Sequence, residues 1–228
     1  NMLLLKTFFG ILFQTLLIGI FLYLPAFTLN WNDAFLLLCV HFSIAFIASI
    51  YLVIYKPASI EARMNYDSEA QPQEDKLATA FMFSALTLGF CLAPIDIFHL
   101  NLSSSFDGIP KNIGLAVYVF GILLAMASMI ANEFAETTVS IQEDRGQRVI
   151  DTGVYSLVRH PMYTGFIFLI IGVNIWLGTF LSLTLSLIFL AVALKLRISI
   201  EEKTLLNDLE GYEDYCKKVK ARLIPYLF

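Results

Sequence analysis

The residues that could do chemistry in this 228-residue chain gather between Gly153 and Gly165, where Tyr155, Arg159, His160 and Tyr163 lie directly against a long apolar run. Arg159 offers a planar fork that can pair bidentately with a carboxylate. His160 can donate a hydrogen bond or serve as a base. Tyr163 brings a hydroxyl and a ring, and Pro161 fixes the turn that starts the next helix. About forty residues on, Glu201-Glu202 follows the end of the same apolar run. If the intervening stretch is a helical hairpin, both charged patches come to one membrane face. A polar site closed by a membrane hairpin is an enzyme-like arrangement.

The elements that must position this site follow from composition. The chain is 58% hydrophobic and 15% charged, with mean hydropathy +0.73, where soluble domains carry about 25% charged residues. This predicts an all-α integral membrane protein. Apolar runs occupy roughly 7 to 29, 34 to 55, 77 to 95 and 113 to 131, and then Met162 to about Leu196; about 20 residues cross a hydrocarbon core of about 30 Å. The last run is too long for one span. Asn174, Gly178, Thr179 and Ser182 near its middle suit a tight turn, which divides it into helices over 163 to 177 and 180 to 198. The expectation is about six spans in one membrane domain over 1 to 228, with N-terminal spans in 1 to 131 and the chemistry in 132 to 228.

Basic residues accumulate on the cytoplasmic side of membranes. With the N-terminus inside, fourteen of the fifteen Lys and Arg residues fall inside, and only Lys111 falls outside. Both termini and the 132 to 162 segment are then cytoplasmic, as in a bacterial inner-membrane protein. The net charge of −4 and the interleaving of basic with acidic residues give no case for nucleic acid. The first apolar run exceeds a signal peptide's apolar region and lacks a small-residue cleavage site, so it reads as a retained span; Asn1 ahead of Met2 reads as an added residue. Cys39, Cys91 and Cys216 offer neither a disulfide framework nor metal-ligand spacing. The acceptor pattern Asn101-Leu102-Ser103 is too common to weigh, and His41, lone on an apolar face, reads as a packing residue.

Residues 56 to 76, with Pro57, Pro72 and the acidic Glu69, Glu74 and Asp75, read as a solvated link. Thr137, Val139 and Ile141 alternate with Thr138, Ser140 and Gln142, Asp144-Arg145-Gly146 has turn chemistry, and Val149-Ile150-Asp151-Thr152-Gly153 resumes an apolar phase; this predicts a short extended excursion and return. Past the hairpin, Ile200, Leu205, Leu206 and Leu209 recur at helical spacing up to Gly211, an amphipathic cytoplasmic helix with a glycine stop. Tyr212, Tyr215 and Val219 continue the apolar side in a second short helix. Lys217, Lys218, Lys220 and Arg222 can meet anionic headgroups.

Arg159-His160-Pro161-Met162-Tyr163-Thr164-Gly165, preceded by Val149 to Tyr155 and followed by Glu201-Glu202-Lys203-Thr204-Leu205 and Gly211-Tyr212-Glu213-Asp214-Tyr215, resembles the C-terminal half of the isoprenylcysteine carboxyl methyltransferase family and its bacterial and phospholipid methyltransferase relatives. The resemblance covers about 132 to 228. Val154 departs from it, standing where bacterial relatives often carry proline. The resemblance implies an enzyme: a membrane methyltransferase that uses S-adenosylmethionine, without a metal, on a lipophilic or lipidated acceptor entering from the bilayer lipids. It implies catalytic roles for Arg159 and His160, and a cofactor pocket made by Gln142, Val149, Gly153, Tyr155, His160, Pro161, Tyr163, Glu201 and Glu202, with Glu201 or Glu202 accepting from ribose hydroxyls or an ammonium group. Methyl transfer from a sulfonium is an in-line displacement helped mainly by positioning and charge, which these residue types suit. The acceptor stays open between a prenylcysteine-type carboxylate, a phospholipid amine and a small lipophilic thiol or acid, and nothing fixes an oligomeric state. Two other classes compete. A membrane reductase of sterol-reductase-like architecture would use NADPH and prefer a longer chain, and a transporter would place ionisable groups mid-membrane.

Overall fold

A computed structural model describes residues 2–64, 73–103, 108–134 and 146–225. The expected extended excursion, Gln142 with it, and the middle of the 56 to 76 link lie outside the described residues.

The described residues form eight α-helices and no strand: α1 (Met2–Ala26), α2 (Asn32–Tyr55), α3 (Pro57–Met64), α4 (Gln73–Ile95), α5 (Ile109–Ala131), α6 (Pro161–Leu177), α7 (Phe180–Asp208) and α8 (Tyr212–Lys218). A π-helical turn, Asp96–Leu100, extends α4, and a 3₁₀ turn, Gly153–Ser156, precedes α6. Five of these helices, α1, α2, α4, α5 and α7, are long and apolar enough to cross a membrane. The sixth expected span, α6, has 17 residues, or about 25 Å at 1.5 Å per residue.

Two expectations need correction. The amphipathic segment from Ile200 is not a separate helix: α7 continues unbroken from Phe180 to Asp208. No glycine or proline interrupts that stretch, so the backbone ladder runs on from apolar into charged sequence. Nor is the whole 56 to 76 segment a link. Pro57, suited to a helix start, begins α3, and Ile60 buries itself with Leu52 and Val53 against Met126, Met129 and Ile130. Asp75, counted there as a solvated acid, is fully buried in α4.

Two helix contacts set the frame. Between α5 and α6 the backbones touch: a Cβ on Gly121 would stand 2.6 Å from the Leu169 nitrogen, one on Gly165 2.8 Å from the Gly121 oxygen, and one on Gly172 would collide with the Tyr118 backbone. Small residues permit such approach where lipid removes any hydrophobic preference for the interior. Between α4 and α7 side chains carry the contact, with Ser182 and Ser186 buried beside Gly89. His41 is buried as a packing residue would be, with Nδ1 2.8 Å from the Tyr118 hydroxyl, but its buried Nε2 has no hydrogen-bond partner among the described residues.

The α6–α7 hairpin closes through local chemistry. Gly178 adopts φ 79°, a left-handed conformation open to glycine. Thr179 donates its hydroxyl to Asn174 Oδ1 (3.0 Å), and Asn174 Nδ2 donates to the Ile170 carbonyl (2.9 Å). At this same end Lys111 pairs with Asp33 at 2.7 Å and Trp176 donates to the Asp33 carbonyl at 2.9 Å. The hairpin's open end carries Arg159, His160, Glu201 and Glu202.

Candidate functional site

The open end encloses a cavity of about 230 Å³. One wall is polar, formed by Arg159, His160, Tyr163, Arg197 and Glu201; another is apolar, formed by Met82 and Phe83 of α4 and Met162 and Phe166 of α6. Val149, Tyr155, Leu205, Leu209, Tyr212 and Tyr215 complete the side towards α8, with Arg63, Arg148 and Phe134 also on its lining.

Local structure explains how the polar wall is held. Gly153 opens the 3₁₀ turn at φ 59°, and Pro161 occupies the first turn of α6, where its missing N–H removes no helical bond. His160 thus sits at the helix entrance, its ring stacked on Tyr163 with centroids 5.6 Å apart. Helix α7 brings its two glutamates to that ring: Glu202 Oε1 lies 3.2 Å from His160 Nε2, and Glu201 Oε1 lies 3.7 Å from Nδ1. Tyr163 donates its hydroxyl to Glu201 Oε2 at 2.6 Å. Arg159 donates from Nε to Glu202 Oε1 at 2.8 Å and from Nη1 to the carbonyls of Val219 and Lys220 at 2.7 and 2.9 Å.

The charges are shared, with Glu202 reaching Arg159, His160 and Arg222. Burial disfavours a charged imidazole, but the hydrogen bonds and charges of Glu201 and Glu202 outweigh it and hold the His160 pKa above its ordinary value. With a carboxylate oxygen facing each ring nitrogen, His160 is arranged as a hydrogen-bond donor. Burial raises the hydroxyl pKa of Tyr155 and of Tyr212; Glu201 adds to it at both and Glu202 at Tyr212.

Of the residues marked in the sequence, Val149, Tyr155, Arg159, His160, Tyr163 and Glu201 line the cavity. Glu202 is 6% exposed and stands behind the wall, joining Arg159, His160 and Arg222. Gly153 and Pro161 shape the backbone and are not on the lining. Sequence reasoning missed a second layer. Arg197, read only as a topology signal, pairs with Asp75 of α4 and donates to Thr79 (2.7 Å) and to the Tyr163 hydroxyl (3.2 Å). Its position four residues before Glu201 puts both on one helix face, a signal that was available. Asp75 had none. Residues Tyr212 and Tyr215 line the site in addition to packing, and Tyr215 donates to the Tyr155 carbonyl at 2.7 Å.

A helical bundle with a cavity of one polar and one apolar wall at one end is the class that fold and site define. The profile of the phospholipid methyltransferase family matches residues 110–209, a stretch that includes Tyr155 to Tyr163 and both glutamates. The chain is 32% identical over 106 residues to a protein-S-isoprenylcysteine O-methyltransferase of Schizosaccharomyces pombe, 45% of either chain. It is 30% identical over 118 residues to probable protein-S-isoprenylcysteine O-methyltransferases of Oryza sativa subspecies indica and japonica, 50% of this chain and 61% of theirs. The match thus spans about half the length of these relatives. The resemblance to the isoprenylcysteine carboxyl methyltransferase family read from the motifs is supported by both comparisons.

Proposed function

We propose that this chain is a membrane methyltransferase that uses S-adenosylmethionine and methylates the carboxylate of a lipophilic, prenylcysteine-type acceptor at the cytoplasmic face. The observation that carries this reading is the two-walled cavity: its polar wall falls within the stretch similar to methyltransferases, and its apolar wall suits the chain of a lipid-like acceptor. In this reading α6 is the sixth span and both termini are cytoplasmic.

The residues present fit the cofactor. Glu201 is an acceptor for an ammonium group or ribose hydroxyls, the rings of Tyr155, Tyr212 and Tyr215 suit a sulfonium cation, and Val149, Leu205 and Leu209 give apolar surface for a purine. When bound, the cofactor supplies an activated methyl group with its own leaving group. Displacement of that kind asks the protein for alignment and charge balance. His160, with a carboxylate facing each of its ring nitrogens, is placed as a donor and not as a base. That favours an acceptor already ionised at neutral pH, a carboxylate, over a phospholipid amine or a thiol that must lose a proton. Arg159, with Nε and Nη1 committed to Glu202 and two carbonyls, holds the shape of the polar wall.

Membranes containing the protein, incubated with radiolabelled S-adenosylmethionine and extracted, should yield a labelled, base-labile lipophilic ester. A labelled phospholipid amine would move the assignment to that acceptor, and calorimetry showing binding of NADPH but of neither S-adenosylmethionine nor S-adenosylhomocysteine would sink the reading. Cysteines introduced at Leu102 and Lys203 should label from opposite sides of the membrane, outside and inside respectively; the reverse would overturn the orientation.

A further inference from the structure

Beyond α8 the chain turns back along the entrance of α6 as a strap, residues 219 to 223. The Ala221 and Arg222 carbonyls accept from the N–H groups of Arg159 (3.0 Å) and His160 (2.9 Å), and the Leu223 carbonyl accepts from the Thr164 hydroxyl (2.6 Å). Together with the two carbonyls that take the Arg159 guanidinium, these bonds fasten the strap through its backbone. The Arg222 side chain turns to the site, where its Nε donates to Glu202 Oε2 at 2.9 Å. The other oxygen, Oε1, takes Arg159 at 2.8 Å and faces His160 at 3.2 Å. One buried carboxylate therefore serves three cationic groups from two segments.

We propose that the strap is part of the site and that Arg222 is a positioning residue acting on His160 through Glu202. A carboxylate shared with Arg222 presents less negative charge to the imidazole than one shared with Arg159 alone, so Arg222 limits how firmly His160 keeps its proton. The two arginines differ in reach of solvent: the Arg222 side chain is 44% exposed and that of Arg159 7%. When Arg222 is removed, the buried Glu202 carboxylate keeps Arg159. Besides Glu202, the groups that face His160 are Glu201 of α7 and Tyr163 of α6, while Arg159 of its own turn and Tyr212 and Cys216 of α8 act on Glu202; replacement of Arg222 leaves all five chemically unchanged. None of the motifs over 153 to 165 and 201 to 215 includes Arg222.

The test follows the His160 ring by NMR across pH in the full-length protein in detergent micelles. The chain has three histidines, and His160→Gln identifies the signal. Arg222→Gln should raise the titration midpoint by about half a unit or more, Arg222→Lys should keep it near the parent value, and in a Glu202→Gln background Arg222→Gln should change nothing further. A midpoint that stays put or falls in Arg222→Gln, or an equal shift without Glu202, would overturn the proposal. Arg222→Leu is a second neutral variant, and failure of both neutral variants to fold would make the side chain a structural requirement of the strap, which also overturns it. This readout needs no methyl transfer. A shifted midpoint in a protein that methylates no acceptor would reject the function proposed above and leave this inference standing.

Discussion

Helix α6 meets its neighbours in two opposite ways. Along its length it touches α5 where side chains are missing, at Gly121, Gly165 and Gly172, so that backbone meets backbone. At its entrance it meets α7 and the strap where side chains are long and charged, Arg159, His160, Glu201 and Glu202. A glycine seam has one solution, because packed backbones cannot shift without collision. The charged entrance has several, because each proton or partner changes the balance among the rest. The difference teaches that the seam sets where the site lies and the entrance sets what the site can do.

The strongest way to break this comparison is to put bulk into the seam. Gly172→Leu should yield no monodisperse folded protein by size exclusion, since the new Cβ meets the Tyr118 backbone and not a movable side chain; a folded, active Gly172→Leu would show that the seam is not rigid. Next in size is the ion pair behind the site. Asp75→Asn should cost about 3–5 kcal/mol in detergent unfolding by removing the carboxylate paired with the buried Arg197. The double variant Asp75→Leu with Arg197→Met should recover most of that stability but not methyl transfer, because Arg197 lines the cavity and holds the Tyr163 hydroxyl. Recovery of both would demote the pair to scaffold.

At the entrance the expected losses are of binding, with the fold retained. Glu201→Gln should weaken S-adenosylmethionine binding by about tenfold to a hundredfold, the worth of about 1.5–3 kcal/mol for a charge-assisted hydrogen bond, with an unfolding temperature near that of the parent. Calorimetric affinity equal to the parent's would remove Glu201 from the cofactor side.

The smallest effect is the dependence of stability on pH. The His160 pKa is raised in the folded chain, so its contribution is complete below the unfolded value of about 6.5 and fades as pH rises through the folded value. The unfolding temperature should fall across that window, and His160→Gln should flatten the fall. An equal slope in the variant would assign it to other groups.

The sequence by itself determined the membrane class, the placing of the long helices and the two ends of α6. These are set by short-range physics: apolar runs of spanning length, a proline whose ring starts a helix, and a glycine that alone takes the left-handed turn at 178. It also marked six residues of the cavity lining, because chemistry-bearing groups beside an apolar run are costly unless they have partners. What only the tertiary structure decided is pairing across distance. In a chain whose outer surface is also apolar, hydrophobicity does not mark the inward face of a helix, so neither the glycine seam nor the apolar wall from Met82 and Phe83 could be read in advance. The partners of Arg197 and Arg159 lie 122 residues away at Asp75 and about 60 residues away in the strap. The register between packed helices makes those contacts, and register depends on how backbones fit at Gly121, Gly165 and Gly172, which no local pattern encodes.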